Sequence, residues 1–333
     1  KTVLSHGFVL DGKGNKMSKS LGNTVDPIKM VNQYGADILR LWATSIAYQS
    51  DVRISDEIMK QVAENYRKMR NTMRFVLGNL SDFKSCDVVE TSKLEGVDQY
   101  MLVELNQLVK GYKEALNQYD FSEANQLILN CFTNTLSAFY MDFTKDILYI
   151  EDANSPRRRQ VQTVLYHHAK TMMKLLSPVL VFTAEELHDH FHCDENKAES
   201  VFLEPKPELL NIDNAESIKA YYDRFLMVRK DVMKALEDLR NEKVIKSNME
   251  AKLTICFKDE YEDMAQLVND LKQLFIVAKV ELTDDLTDLV EFDTAYMKAE
   301  KFNGIQCPRC WNYYDEDEME GELCHRCHDV MNG

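Results

Sequence analysis

A chain of 333 residues, 45% apolar and 29% charged, has the make-up of globular protein and is too long for one core, so two to four folding units are expected. Its apolar runs fall well short of the ~20 residues of a membrane span, and no signal peptide opens it, so a cytoplasmic protein with reduced thiols and no membrane partner is expected. The net charge of −15 argues at first against a nucleic-acid partner. Charge is segregated, however: five basic residues meet two acidic ones between Glu57 and Val76, while Asp315 to Glu320 is nearly all acid, and binding depends on where the cations sit.

In chain order, Thr2 to Leu10 reads as a strand already under way, and with Lys1 in place of a methionine start the chain is expected to be a piece of something longer. A glycine-rich turn, Asp11-Gly12-Lys13-Gly14-Asn15, leads into Lys16-Met17-Ser18-Lys19-Ser20, a mobile cationic loop suited to a polyphosphate, because lysine is a flexible point charge with three donors. Helical spacing begins at Asp56, capped by Ser55 or Asp56, and carries Ile58, Val62, Tyr66, Met69, Met73 and Val76 to about Phe83. A second helix is expected from about Val97 to Tyr119, a third from near Ser122 to Tyr149, and a fourth from Pro156 to Leu176, where Ser177-Pro178 breaks it. Thr183 to Glu186 has capping-box spacing and predicts a short fifth helix starting there. Beyond Pro205-Lys206-Pro207 a helix over 215–241, a strand over 252–257, a helix over 261–275 and a strand over 276–282 predict a small α/β unit. The last thirty or so residues hold too little apolar content to fold unaided.

Four cysteines are scattered (Cys86, Cys131, Cys193, Cys256) and four form two CxxC pairs, Cys307/Cys310 and Cys324/Cys327, thirteen residues apart. The scattered ones read as mostly buried thiols. The pairs supply four thiolates to one tetrahedral zinc with a closed, structural shell; a disulfide pair is the alternative, disfavoured in a reducing compartment. Arg309 and Arg326 hold the same place in each knuckle, suited to offsetting thiolate charge or to facing RNA. Arg67, Arg70 and Arg74, with Lys68 beside them, form a basic row on one helix side, and Arg157-Arg158-Arg159 opens another helix. Each row is either a solvated surface or a track for phosphates. His188, His190, His192 and Cys193 are read as plain surface, because spacing alone is weak metal evidence.

The pentad 16–20 reproduces the second signature of class I aminoacyl-tRNA synthetases. With Ser5-His6-Gly7-Phe8, Gly35-Ala36-Asp37-Ile38-Leu39-Arg40-Leu41-Trp42, Tyr66-Arg67-Lys68-Met69-Arg70-Asn71-Thr72, Cys307-Pro308-Arg309-Cys310-Trp311 and Cys324-His325-Arg326-Cys327, the whole chain resembles the carboxy-terminal part of bacterial isoleucyl-tRNA synthetases. Valine and leucine relatives share the pentad but do not usually end in such knuckles; a free-standing RNA-binding module with a zinc ribbon is the alternative of another class. The resemblance implies a mainly α architecture: a stem-contact segment with the loop (1–52), an antiparallel helical anticodon-binding bundle (53–205), a small α/β domain (206–300) and a zinc-bound ribbon (301–333). It implies that the loop 16–20 closes over ATP with magnesium while isoleucine attacks the α-phosphate, Lys19 meeting the phosphates and Lys16 supporting closure. It also implies that Arg67, Lys68, Arg70, Arg74, Arg157 and Arg158 face tRNA(Ile), that DNA is not a partner, and that zinc sits on the four paired cysteines. Tryptophan usual in the family at position 188 is histidine here. The remaining signature, the amino-acid pocket and the editing domain are not found in this sequence, so the chain alone is expected to be inactive.

Overall fold

A computed structural model describes residues 2–332 and is mostly helical. The chain divides into two compact units, one of residues 1–141 and 159–213, the other of residues 142–158 and 214–333.

The first unit opens with β1 (Val9–Leu10), α1 (Pro27–Tyr34) and α2 (Ala36–Thr44), and β1 pairs in parallel with β2 (Val52–Arg53). Asp26 caps α1 through the Ile28 amide, with Pro27 in the first turn, where its missing N–H costs nothing. Gly35 separates the two helices at φ +96°, a left-handed backbone that glycine adopts without steric cost. Helix α3 (Asp56–Asn79) starts on Ser55, whose hydroxyl accepts from the Ile58 amide. Ile38, Trp42, Ile54, Met59 and Ala63 close into one buried cluster here, and Met17 and Val25 pack against it.

Then come α4 (Gly96–Asn117) and α5 (Phe121–Asn130), continued by ten residues of wide π-type turn over Cys131–Tyr140 into α6 (Met141–Ile150). Within this stretch the neighbours Phe139 and Tyr140 are both buried, and Tyr140 donates to the buried Asp98 carboxylate at 2.8 Å. Helix α7 (Pro156–Leu176) follows as expected. Helix α8 (Val181–His190) starts two residues before the expected cap. Its Thr183 is not the N-cap: the Thr183 amide and hydroxyl donate to the buried Asp37 carboxylate at 2.7 and 2.6 Å, and the Phe182 amide at 3.3 Å. A carboxylate from another helix satisfies the orphan donors, which local spacing cannot reveal. His188 is also not surface: it is buried, its Nε2 lies 3.5 Å from Glu204, and α8 ends before His192 can share its face.

In the second unit α9 (Ala215–Asn241) packs on a four-stranded sheet of order β4 (Lys279–Leu282), β3 (Ala251–Phe257), β6 (Ala295–Lys301), β5 (Val290–Glu291). Strands β3 and β4 run parallel, so the chain must cross over, and it does so through 259–275. The single helix expected there is tight 3₁₀-type turn over Asp259–Leu267 followed by α10 (Val268–Phe275). Ile276 stops α10 in a left-handed conformation, φ +59°, which delays the strand to Lys279. The Phe225 and Phe275 rings stack at 5.7 Å, and Asp231 accepts from the Thr294 amide and hydroxyl at 2.9 and 2.8 Å. Of the scattered cysteines, Cys131 and Cys193 are buried, Cys256 partly so, and Cys86 is exposed.

His168 is buried on α7, and since its Nδ1 meets the Val164 carbonyl at 2.9 Å, Nδ1 must carry the proton and donate. Its Nε2 is buried without a partner, and desolvation pushes the imidazole down to about 4. A folded-state value below the unfolded one stabilises the fold above about pH 6.5, and that stability is lost as pH falls towards 4. His168→Leu should therefore flatten the acid side of the stability profile, as urea midpoints measured from pH 7 down to pH 4.5 would show.

Candidate phosphate-binding loop and metal centre

The loop after β1 is built on the Asp11 carboxylate. One oxygen accepts from the Lys13 and Asn15 amides at 3.0 and 2.8 Å, the other from Asn23 Nδ2 at 2.9 Å. Asn23, followed by the Asn15 amide, holds the acid down to about 2. Leu10 and Lys16 bridge antiparallel, so the turn doubles back on β1. Gly14 sits at φ +84°, where a Cβ would lie 3.1 Å from the Arg53 guanidinium.

Within the pentad the side chains divide by role. Met17 turns inward against the Trp42 cluster and accepts from the Val25 amide at 3.3 Å. The Ser18 amide donates to Asn23 Oδ1 at 2.9 Å, and the Ser18 hydroxyl accepts from the Leu21 amide at 3.2 Å and lies 3.1 Å from that of Ser20. Lys16 and Lys19 are exposed, Lys16 with its ammonium 5.6 Å from the centre of the Phe8 ring. An inward methionine between outward lysines gives two cations on an anchored base, the arrangement a polyphosphate needs if charge is to be met without rebuilding the loop. Sequence reasoning missed Asn23 and Asp11; their signal was the pair of Asx residues flanking the pentad.

The basic row of α3 is not one free surface. Arg70 forms a two-pronged pair with Glu186 of α8 at 2.6 and 2.7 Å, and Arg67 pairs with Glu64 one turn back. Lys68 and Arg74 are exposed. Arg157 is partly buried, and Asp270 lies close enough to feel its charge. Arg158 donates to the Leu148 and Ala153 carbonyls at 3.2 and 3.1 Å, closing the turn between α6 and α7. Arg159, by contrast, donates to the Asp82 carbonyl at 3.0 Å.

The cysteine pairs converge in the second unit. Two short ribbons, β7 (Ile305–Gln306) with β8 (Tyr313–Tyr314) and β9 (Met319–Glu320) with β10 (Leu323–Cys324), carry the knuckles, and α11 (His325–Asn332) follows. Trp311 at φ +64° turns the first knuckle back so that its amide reaches the Cys307 carbonyl at 2.8 Å. The four sulfurs lie within 4.8 Å of one another. Cys310 and Cys324 sulfurs are 3.9 Å apart, far beyond a disulfide's ~2.05 Å and close to the ~3.8 Å edge of a tetrahedron with Zn–S bonds of about 2.3 Å. Burial would raise the Cys307 thiol, but amides of Cys310, Cys324 and Arg309 bring it down to about 6. Arg309 directs one nitrogen at the Cys327 sulfur, 3.6 Å away, and another at the Ile150 carbonyl at 2.7 Å. Arg326 instead holds Asp146 with two bonds of 2.6 and 2.8 Å. His328 turns to Glu320 at 3.2 Å. The donor set fits a tetrahedral divalent metal, and among the described residues it is the one such cluster.

Two family models match the chain: "tRNA synthetases class I (I, L, M and V)" over residues 1–55 and "Anticodon-binding domain of tRNA ligase" over residues 98–255. The loop and the helices behind it are thus those of a class I tRNA synthetase. The chain is 48% identical over 340 aligned positions to the isoleucine–tRNA ligase of Bacillus cereus strain 03BB102, covering 99% of this chain and 37% of the relative. The same identity and shares hold for that of Bacillus anthracis strain A0248. Against that of Geobacillus thermodenitrificans strain NG80-2 the identity is 46% over 347 positions, 100% of this chain and 37% of the relative. Within that class the chain is similar over nearly its whole length to bacterial isoleucine–tRNA ligases, and it spans a little over a third of the length of these relatives.

Cobalt(II) added to metal-free protein should give one equivalent of tetrahedral thiolate complex, read from its charge-transfer and d–d absorption. Cys310→Ser should weaken that complex and loosen the tail, because closed thiolate sites couple metal binding to local folding.

Proposed function

We propose that this chain is the part of an isoleucine–tRNA ligase that supplies the ATP-phosphate loop and much of the tRNA-binding surface. The observation that carries the proposal is the pentad 16–20, with Met17 anchored in the core and both lysines exposed, in a chain 48% identical to such ligases over 99% of its length. In the whole ligase, the isoleucine carboxylate attacks the α-phosphate of magnesium-bound ATP, pyrophosphate leaves, and the aminoacyl group passes to the terminal ribose of tRNA(Ile). Lys19 meets the charge growing on the leaving pyrophosphate, and Lys16 supports closure of the loop over it. The reaction belongs to the whole ligase in the cytoplasm; this segment by itself is proposed to be inactive.

The metal on Cys307, Cys310, Cys324 and Cys327 is proposed to be zinc, which would supply structural cross-linking and no open position for substrate. Arg309 offsets the thiolate charge. The proposed RNA surface on α3 centres on Lys68 and Arg74, with Arg67 and Arg70 joining it by exchanging carboxylate for phosphate; Arg157 and Arg158 form a separate basic element. The domain limits proposed are 1–52, 53–205, 206–300 and 301–333.

In the full-length ligase Lys19→Ala should slow isoleucine-dependent ATP–pyrophosphate exchange about 100-fold or more, the usual scale for one lost electrostatic contact to a transition state. Lys68→Gln with Arg74→Gln should weaken binding of cognate and non-cognate tRNA alike and flatten its salt dependence, since phosphate contacts release counterions and carry little sequence information. Filter binding at several salt concentrations reads both effects; an unchanged slope would leave these residues as solvated helix surface.

A further inference from the structure

We infer that Asn23 is a positioning residue of the phosphate loop: its one side-chain amide ties the pentad backbone, at Lys16 and at Ser18, to the Asp11 carboxylate. The inference deepens the reading of this loop given above and rests on it. Asn23 Oδ1 accepts from the Ser18 amide at 2.9 Å, while Nδ2 donates to the Lys16 carbonyl at 3.2 Å and to Asp11 Oδ2 at 2.9 Å. Only an amide side chain offers an acceptor and two donors in this compass, so neither aspartate nor serine can make all three contacts at once.

The geometry matters because of what lies between the tied points. Lys19 follows directly on Ser18, and the turn that carries it closes by the Gly22 amide to the Lys19 carbonyl at 3.2 Å and the Leu21 amide to the Ser18 hydroxyl at 3.2 Å. The Lys19 side chain is exposed and has no ion pair among the described residues. Its reach is therefore set by the backbone from which it springs. Asn23 fixes that backbone at residues 16 and 18, and Asp11 in turn fixes Asn23 to the glycine turn through the Lys13 and Asn15 amides. With the frame intact, the lysine enters the transition state from a narrow set of starting points. Without it the same charge is present but dispersed, and the loss falls on the chemical step and spares ground-state binding of isoleucine.

The test uses the full-length ligase and isoleucine-dependent ATP–pyrophosphate exchange. Asn23→Ala should lower kcat roughly tenfold, the scale of one or two lost framing hydrogen bonds, with the KM for isoleucine and the affinity for tRNA within about twofold of the parent. Asn23→Asp keeps the acceptor for the Ser18 amide but sets two carboxylates together, and should be at least as slow. Combining Asp11→Asn with Asn23→Asp reverses the pair at unchanged net charge, restores the amide–carboxylate bond and keeps the Ser18 contact while the Lys16 bond stays broken, and should bring kcat back part of the way, severalfold above Asn23→Asp. A general loosening of the fold would not be repaired by that reversal. Unchanged kcat in Asn23→Ala, or a reversed pair no faster than Asn23→Asp, overturns the inference. Lys19→Ala assayed beside them separates the two levels. If Lys19→Ala is crippled and Asn23→Ala is not, only the positioning role fails; if both are silent, the phosphate-loop reading falls and the positioning role with it.

Discussion

A lysine loop can meet a moving polyphosphate only if its base does not move with it. In this chain the base is held by an apolar contact: Met17, between the two lysines, packs against the cluster of Ile38, Trp42, Ile54, Met59 and Ala63. That cluster joins α2 to α3 and covers the end of β2, so the cationic loop, the short parallel pair and these two helices share one point of fixation. Met59 is fully buried, and side chains of this kind contribute about 1.5–3 kcal/mol each on leaving water. Hydrogen bonding then refines what burial has placed. Tyr34 reaches Asp56 at the start of α3, and Asp37 of α2 caps α8.

Much of this was legible in the residues because it depends on local period and local chemistry. Ser55 begins α3, Pro156 begins α7 and the helix over 215–241 has the limits its apolar stripe predicts. The paired cysteines announced a four-sulfur cluster because ligand spacing in a knuckle is itself local. What was not legible depends on partners distant in sequence. Thr183 looked like a cap, but the cap is Asp37, 146 residues away. His188 looked like surface, but Glu204 and the surrounding helices bury it. Arg70 looked like a free cation on α3, but Glu186, 116 residues on, takes both prongs of its guanidinium.

The loop shows the same division on a smaller scale. Its lysines were visible as letters, while the frame that aims them was hidden, because Asp11 and Asn23 act only when the chain folds back across twelve positions. The wide turns over Cys131–Tyr140 are a further case: nothing in a 3.6-residue apolar period predicts where a helix will widen.

The two knuckle arginines carry a consequence for how the second unit comes together in time. Arg309 holds the Ile150 carbonyl across 159 residues and Arg326 holds Asp146 across 180. Closing so long a segment has an entropic cost that grows only slowly with length, but contacts so far apart cannot form until every intervening residue has been synthesised. The sheet and α9 can assemble on shorter contacts meanwhile, whereas residues 146–151 must wait for the tail. Docking of the knuckles onto residues 146–151 then comes last, and it closes a body whose sheet and long helix are already in place.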